Sequence, residues 1–498
     1  MNLNASVWLS MLPVFIAGLL LPLAFAPVEW SPLAIILMAY LFYRWQSASA
    51  RQVWWSGWAF GTGMFLSGVY WVFISMHEYG SVPVVFSALL SFLFALFLGL
   101  FPALAGWLST RYFSTQPATR LLLLLPAVWV LMEWVRSWFF TGFPWLNLGV
   151  SQVGWPLSGY APLFGEYAMS WLVVITSGAC VYLLKAKTVQ RILAISLMLS
   201  LWTGGYFLQQ VEWTQTEGKP FKVALVQGNV DQNHKWDPDF RVEIISSYLK
   251  LTRPHWDSDV IIWPETAISA FYHHVPEVID TIDALAKESN TDMLVGIPQR
   301  DLETGKYYNS ILKLGGERGF YQKRHLVPFG EFIPLQDMLS GFLDFMGLPM
   351  SGFSRGVSTQ PPLEAGGYLA GLTICYEIIF NSEVIQSLPQ AHYLVNVSNN
   401  TWFGNSSMPY QQLQMSQLRA LETERYVLSA TNNGVSAVVD NHGRVIQRSP
   451  QFQAHVLTAN VQARTGATPY IMYGNYPVVI ALLLVILLLL IRYKRVSA

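Results

Sequence analysis

The chain has 498 residues, more than one ordinary domain holds, and its 30 basic and 30 acidic residues leave no net charge that would attract nucleic acid. Charged residues make up only 12% of the chain and hydrophobic residues 53%, which excludes the composition of an average soluble protein. Aspartate first occurs at Asp231. We therefore expect lipid to surround most of the chain before Asp231 and water to surround most of the rest.

Seven apolar stretches precede the polar part, and most are long enough to cross a hydrocarbon layer about 30 Å thick as helices. An eighth stretch, 477–491, is nearly pure Leu, Ile and Val. No basic residue precedes the first stretch, so we expect it to be retained and not cleaved as a signal peptide. The seven leading stretches are 6–26, 30–44, 54–76, 82–108, 120–138, 166–184 and 190–209.

Basic residues occur on every second loop between these stretches. The positive-inside rule places such loops in the cytoplasm. Both termini are then cytoplasmic, and the polar part lies on the opposite face of the membrane, which is the periplasm in a bacterium. The basic residues concerned are Arg44, Arg51, Arg111, Arg120, Lys185, Lys187, Arg191, Arg492, Lys494 and Arg495.

The connection 141–166 is rich in Gly, Pro and aromatic residues. This composition fits a loop at the headgroup level of a bilayer, and it equally fits a loop that packs between helices. Glu133 and Arg136 lie three residues apart on the preceding helix, so we expect them to pair with each other. Contact of this pair with lipid headgroups is the alternative.

From about Lys222 onward, short apolar strands alternate with amphipathic helices, which predicts a layered α/β domain buried on both faces. No glycine-rich nucleotide motif and no metal-spaced His/Cys cluster occurs, so we expect neither a cofactor nor a metal. The predicted strands are 222–227, 260–263, 293–297, 310–314, 369–375, 393–397, 427–431 and 436–440. The predicted helices are 239–252, 276–289, 381–387 and 410–425.

Cys375 ends one predicted strand, and polar residues follow it directly. It is one of only two cysteines, which makes it a candidate nucleophile, although a buried inert thiol is the alternative. Glu265 follows the strand 260–263 and Pro264, a setting that also suits the first turn of a helix. Lys323 precedes a turn with Pro and Gly, where a solvated loop is the alternative.

Because loops that follow strands cluster in α/β sheets, we expect Glu265, Lys323 and Cys375 to form one site. A thiol needs a partner that removes its proton, and Glu265 can be that base. Lys323 would stay charged, lower the thiol pKa and stabilise an oxyanion together with the backbone N–H of Tyr376. The candidate histidines for a Cys–His pair, His325 and His392, have no other residues around them in the sequence that would form a triad.

Three motifs carry a resemblance to a known family: Trp263-Pro264-Glu265, the segment 321–331, and Ile374-Cys375-Tyr376-Glu377. They resemble the signatures of the nitrilase (carbon–nitrogen hydrolase) superfamily, with a Glu-Lys-Cys triad. Together with seven leading spans and one trailing span, they make the whole chain similar to the bacterial apolipoprotein N-acyltransferase family. One departure is Asn400, where relatives commonly carry Asp. Further matching stretches are Val226–Asn229, Lys235–Asp237, 141–145, Ser354–Gly356 and Thr431–Val435.

The resemblance implies a polytopic α-helical membrane domain of about eight transmembrane helices and a nitrilase-like αββα sandwich domain. The implied boundaries are 1–211 for a seven-helix transmembrane domain and 220–466 for a periplasmic catalytic domain. A last transmembrane helix with a basic cytoplasmic tail follows at 472–498. The implied location is the bacterial inner membrane.

The resemblance also implies a ping-pong acyl transfer. Cys375 would attack the sn-1 ester of a phospholipid, expected to be phosphatidylethanolamine, and form a thioester. The α-amino group of an apolipoprotein's N-terminal diacylglyceryl-cysteine would then take the acyl chain. Glu265 would accept the thiol proton and later the amine proton, and Lys323 would hold the oxyanion in both steps.

By the same resemblance, Glu331 would orient Lys323 or Glu265, and Trp236, Tyr376 and Glu377 would lie near the site. We expect a monomer, because no coiled-coil heptad demands assembly. Two other classes stay open. A membrane-tethered nitrilase-type amidase or hydrolase would resolve the thioester with water, and a transporter or scaffold would carry a degenerate nitrilase-like domain.

Overall fold

A computed structural model describes residues 5–111, 116–332 and 352–497 of the chain. The chain forms two compact units. The first lies within residues 1–73, 83–211 and 472–498, and the second lies within residues 74–82 and 212–471. The polar part of the sequence is thus one unit, which also takes in a short segment from between two apolar helices.

The first unit is helical. Its helices are Ala5–Leu20, Pro32–Trp45, Ala50–Gly68, Trp71–Ile74, Val84–Arg111, Pro117–Thr119, Leu125–Arg136, Ala161–Leu183, Thr188–Leu208 and Tyr476–Ser497. Single 3₁₀ or π turns extend several of them and bridge the segment between Arg136 and Ala161. The predicted apolar stretches therefore all contain helix, with one long connection where the sequence is richest in Gly and Pro.

Length and hydropathy make five of the described helices candidate membrane spans, or six if a pair bent by 52° counts as one span. The five are Val84–Arg111, Pro117–Arg136, Pro156–Leu183, Thr188–Leu208 and Tyr476–Tyr493, and the bent pair is Ala50–Gly68 with Trp71–Tyr79. Two further apolar helices, Met11–Ala24 and Pro32–Trp45, are shorter. The predicted stretch 54–76 is therefore broken into two helices, and five or six long spans stand where the sequence predicted eight.

The connection after Arg136 packs inside the helical unit. The Arg136 guanidinium donates to the backbone carbonyls of Phe143 at 2.8 Å and Trp145 at 2.5 Å. A Glu133 carboxylate oxygen accepts the backbone N–H of Leu148 at 3.0 Å. Both charged side chains are buried and bind this connection. The connection is thus a loop that packs between helices. Glu133 and Arg136 bind its backbone, which is a structural role in addition to the pairing with each other that the sequence predicts.

The described residues of the second unit form 14 short strands in chain order. They are β1 Gln215–Thr216, β2 Phe221–Gln227, β3 Val260–Trp263, β4 Asp292–Arg300, β5 Tyr307–Leu314, β6 Gly319–Gln322, β7 Leu363–Ala365, β8 Tyr368–Ile374, β9 Tyr393–Ser398, β10 Val427–Thr431, β11 Ala437–Val439, β12 Val445–Arg448, β13 His455–Val461 and β14 Arg464–Thr465. Its helices are Gln232–Lys235, Arg241–Thr252, Pro276–Glu288, Asn381–Val384 and Met408–Thr423, and Pro469–Tyr473 follows.

Two six-stranded sheets form the centre of this unit, in the orders β13-β2-β3-β4-β5-β6 and β12-β11-β10-β9-β8-β7. Alternate residues of both sheets fill one shared core, for example Leu225 and Ile262 from the first and Ile374 and Val395 from the second. The opposite side chains of the first sheet pack against the helices Arg241–Thr252 and Pro276–Glu288. The layers are therefore helix, sheet, sheet, helix.

The strand directions bring particular loops together. Strands β2, β3 and β4 run parallel to each other, as do β8, β9 and β10. Strand β5 is antiparallel to β4, and β6 is antiparallel to β5, so β6 runs in the same direction as β4. The carboxyl ends of β3 and β6 consequently lie at one edge of their sheet, where loops build binding sites.

The segment 74–82 packs on the loop that follows β9. The Tyr79 ring lies edge-on to Trp402 at 6.3 Å between centroids. A side chain at Gly404 would come within 3.4 Å of Ile74 and 3.6 Å of a Glu78 oxygen. Sequence analysis did not predict this contact, because the aromatic residues concerned are typical of any interfacial loop.

Candidate active site

Cys375 lies directly after β8, with 9% of its surface exposed. Its φ of +54° is a left-handed conformation that side chains other than glycine rarely adopt. The Gln412 side chain donates to the Cys375 carbonyl at 3.0 Å and in turn accepts from the Asn400 amide at 2.8 Å. The turn that presents the thiol is thus held by the side-chain amides of Gln412 and Asn400.

Glu265 and Lys323 meet at the edge formed by the ends of β3 and β6. The Lys323 ammonium lies 3.6 Å from a Glu265 oxygen and 2.8 Å from a Glu331 oxygen. Glu265 is 7% exposed and Lys323 1% exposed. Both side chains are close enough to Cys375 for their charges to act on the thiol. The structure therefore brings Glu265, Lys323, Glu331 and Cys375 into one buried cluster.

Two amide groups fix the Glu265 carboxylate. Its Oε1 accepts from the Asn309 side-chain amide at 2.7 Å, and its Oε2 accepts from the backbone N–H of Asn399 at 2.7 Å. The same Asn309 nitrogen lies 3.2 Å from Glu331 Oε1, so it bridges the two carboxylates. Because Asn309 stands near the start of the antiparallel strand β5, it reaches the same sheet edge as the end of β4.

Glu377 ties the loop of Lys323 to the loop of the thiol. Its carboxylate accepts the backbone N–H groups of Arg324 at 2.5 Å, His325 at 3.1 Å and Ile374 at 2.7 Å. It is fully buried, and it also accepts from the Tyr321 hydroxyl at 2.9 Å. Its place is therefore behind the cluster, where it holds the backbones that carry two of the triad residues.

The electrostatics differ from expectation for the thiol. Burial raises the pKa of Cys375 well above its usual range, the Glu265 carboxylate raises it further, and the Lys323 ammonium lowers it only in part. Lys323 thus lowers the thiol pKa as predicted, but burial and the carboxylates outweigh it, so the pKa of Cys375 is raised on balance. Burial also opposes the charge of Lys323, but Glu331 and Glu265 outweigh it and raise the pKa of Lys323.

The remaining predicted residues lie around this cluster. Trp236, 47% exposed, ends the short helix Gln232–Lys235. Tyr376 follows the thiol and lies edge-on to His325 at 5.7 Å between ring centroids. His325 does have a carboxylate partner, since its Nδ1 lies 2.6 Å from Glu383 Oε1, and the expectation of no partner is wrong. The pair His325–Glu383 faces Tyr376, whereas Glu265 faces the thiol.

Four residues of the site were missed by sequence analysis. Asn399 directly follows β9 and stands at a strand end, a signal that could have been used. Lys235 precedes Trp236 in a stretch that had already been noted. Asn309 and Gln412 gave no such signal, because a polar residue inside a strand or helix is usually solvent-facing.

Residues 17–179 match the family described as the apolipoprotein N-acyltransferase N-terminal domain, and residues 222–470 match the carbon–nitrogen hydrolase family. An apolipoprotein N-acyltransferase of Methylococcus capsulatus is 43% identical over 477 residues, which cover 94% of each chain. The chain belongs to the apolipoprotein N-acyltransferase family. Relatives with the same name in Coxiella burnetii (39% identical, 95% of this chain and 98% of the relative) and Pseudomonas aeruginosa (38%, 94% and 93%) match over similar lengths.

Membership in this family gives the second unit a nitrilase-like fold, in agreement with its carbon–nitrogen hydrolase match and its four layers. The N-terminal family match covers the apolar helices from within Ala5–Leu20 to within Ala161–Leu183. The two matches follow one another in the order in which the sequence changes from apolar to polar.

Proposed function

We propose that the chain is an apolipoprotein N-acyltransferase that works through a thioester on Cys375. The observation that carries the proposal is the buried cluster in which Lys323 lies 3.6 Å from Glu265 and both act on the Cys375 thiol. Full-length relatives with this name favour the transferase over a hydrolase that uses water. The donor is proposed to be phosphatidylethanolamine, and the acceptor is the N-terminal diacylglyceryl-cysteine of an apolipoprotein.

In the first half-reaction, the Cys375 sulfur attacks the carbonyl carbon of the sn-1 ester while its proton passes to Glu265. The raised thiol pKa implies that the proton leaves during the attack and not before it. Lys323 and the backbone N–H of Tyr376 stabilise the oxyanion. When the tetrahedral intermediate collapses, the ester C–O bond breaks, the leaving oxygen takes the proton from Glu265, and lysophospholipid departs.

In the second half-reaction, the neutral α-amino group attacks the thioester carbon and gives a proton to Glu265. Lys323 again stabilises the oxyanion. Collapse breaks the C–S bond, forms the amide and returns the proton from Glu265 to the Cys375 sulfur. Each proton that Glu265 accepts is returned within the same half-reaction, so the enzyme needs no external acid or base.

Supporting residues follow from their contacts. Glu331 is proposed to orient Lys323, because the two side chains bond at 2.8 Å. Glu377 is proposed to fix the loops that carry Lys323 and Cys375 in position relative to each other. Trp236 and Tyr376 are proposed to lie where substrate enters, since Trp236 is exposed beside the buried Lys235.

The membrane arrangement is also a proposal. Apolar length in the sequence and the two family matches support eight spans and the boundaries 1–211, 220–466 and 472–498, although only five or six of the described helices are long enough to span by themselves. Loop charge supports cytoplasmic termini and a periplasmic catalytic domain. Both substrates carry acyl chains anchored in a bilayer, so an enzyme that serves them gains from being embedded in it. We propose that the enzyme acts as a monomer in the bacterial inner membrane.

Intact-mass analysis of the purified protein with phosphatidylethanolamine tests the mechanism. One acyl chain is expected on the wild type and none on Cys375→Ser, with Cys180→Ser as the matched control that keeps the adduct. A stalled adduct that clears only with a diacylglyceryl peptide amine identifies a transferase. Steady release of free fatty acid without an amine identifies a hydrolase, and the lack of any adduct rejects the thioester.

A further inference from the structure

Lys235 is a buried ammonium that the reaction steps do not use. It ends the helix Gln232–Lys235, and only 2% of its surface is exposed. Its Nζ donates to the backbone carbonyl of Glu265 at 3.1 Å. The charges of Glu265 and Cys375 both act on it. Burying a lysine costs free energy unless it has a partner, so a lysine here calls for a physical reason.

The charge of the cluster supplies that reason. Among the described residues, Lys323 is the ammonium that pairs with the carboxylates of both Glu265 and Glu331. While Cys375 is a neutral thiol, the positive charge of Lys323 and the two negative charges of Glu265 and Glu331 sum to one negative charge. Unbalanced charge in a buried site is unfavourable, and a carboxylate relieves it by taking up a proton. A protonated Lys235 brings the cluster to neutrality.

We propose that Lys235 is a positioning residue for the acylation half-reaction, in which its ammonium keeps Glu265 ionised and its hydrogen bond holds the turn that presents Glu265. The proposal rests on the proposed function, where Glu265 is the base. The next residue, Thr266, has a φ of +49°. This left-handed conformation is unfavourable for threonine, so a bond to the preceding carbonyl stabilises a strained turn.

The titration of Lys235 agrees with this geometry. Burial lowers the pKa of Lys235 to about 8, although Glu265 and Cys375 both raise it. Those two groups face Lys235, and Lys323 and Glu331 face them in turn. Lys235 is therefore charged at neutral pH and loses its charge in the mildly alkaline range. Whatever its charge contributes to acylation is present below about pH 8 and is lost above it.

Lys235→Met tests the proposal, because it keeps the length of the side chain and removes the charge. We expect the acid limb of the profile, the pH range in which protonation of the base lowers the rate, to move to higher pH. Within that limb, a shift of one pH unit lowers the acylation rate at a given pH roughly tenfold. Above about pH 9, the variant and the wild type should converge, because the wild type has then lost the same charge. The measurement is single-turnover release of lysophospholipid by the full-length protein in detergent.

Two further variants complete the design. Lys235→Arg retains a positive charge and should retain the acid limb of the wild type, even if its larger head group lowers the plateau. Lys219→Met removes an exposed lysine of the same unit and should leave the profile unchanged.

Two outcomes overturn the inference: a loss in Lys235→Met that is the same at every pH, or no loss at any pH. If Lys235→Met does not fold, Lys235→Arg is the test: an acid limb that lies at a different pH from that of the wild type overturns the inference. Failure of the wild type to form a thioester would instead reject the proposed function.

Discussion

The amide of Asn309 lies between the two carboxylates of the site. It donates to Glu265 at 2.7 Å and lies 3.2 Å from Glu331, so Asn309→Ala removes a donor shared by both. A hydrogen bond to a charged group contributes about 1.5–3 kcal/mol, and one pH unit corresponds to about 1.4 kcal/mol. Losing the bond to Glu265 alone should therefore move the acid limb of acylation upward by roughly 1–2 pH units.

The sign follows from which form the amide stabilises. An N–H donor favours the ionised carboxylate, so its loss favours the protonated carboxylate, which is not a base. Within the acid limb, we expect the acylation rate at a given pH to fall by roughly 10- to 100-fold, and at high pH it should return to within about tenfold of the wild type. Asn309→Asp, of similar volume, replaces the donor with a third carboxylate and should move the limb further.

Rapid-quench measurement of lysophospholipid release across the pH range gives the profile. Asn441→Ala is the matched control, because Asn441 is also buried in the catalytic unit but lies on the turn between β11 and β12. A uniform loss in Asn309→Ala without displacement of the limb would refute the electrostatic reasoning and leave Asn309 with a packing role.

Two further predictions concern the thiol and its supporting carboxylate. In a Cys180→Ala background, Glu265→Gln should lower acylation by about 10²- to 10⁴-fold yet speed alkylation of Cys375 by iodoacetamide, because the Glu265 charge raises the thiol pKa. Slower alkylation would contradict this electrostatic effect of Glu265, and unchanged acylation would contradict its assignment as the general base. Both oxygens of the Glu377 carboxylate accept backbone N–H groups, and Glu377→Gln leaves only one acceptor oxygen for them. Because a hydrogen bond to a charged group is worth about 1.5–3 kcal/mol, hydrogen exchange at the Arg324 amide should accelerate roughly tenfold or more. Exchange unchanged from that of the exposed control Glu243→Gln would exclude this role for Glu377.

The inner strands of both sheets were predictable from the sequence. The strands 260–263 and 427–431 have the predicted bounds, because fully buried parallel strands appear as continuous apolar runs. The four strands that were missed in the two sheets are β6, β7, β12 and β13, and they are the four sheet edges. An edge strand pairs on one side only and leaves side chains exposed, so the apolar run that marks a strand is absent.

The same contrast holds within the site. Each of Glu265, Lys323 and Cys375 follows a strand-like segment, so local sequence and the geometry of sheets were enough to group them. The roles of Lys235 and Asn309 depend on their burial and on contacts with residues that are distant in the sequence. Neither burial nor partner can be read from a lysine at the end of a short polar turn or from an amide within a strand.

The raised thiol pKa and the count of charges lead to one conclusion about how the site works. A preformed thiolate would add a charge to a buried cluster that already holds two carboxylates. Transfer of the proton from Cys375 to Glu265 during attack only moves that charge from one member of the cluster to another. The net charge of the cluster then stays constant through both half-reactions, and it stays at zero if a second ammonium balances Glu331. For this reason, the pH profile of Lys235→Met tests the charge balance on which the whole proposed mechanism depends.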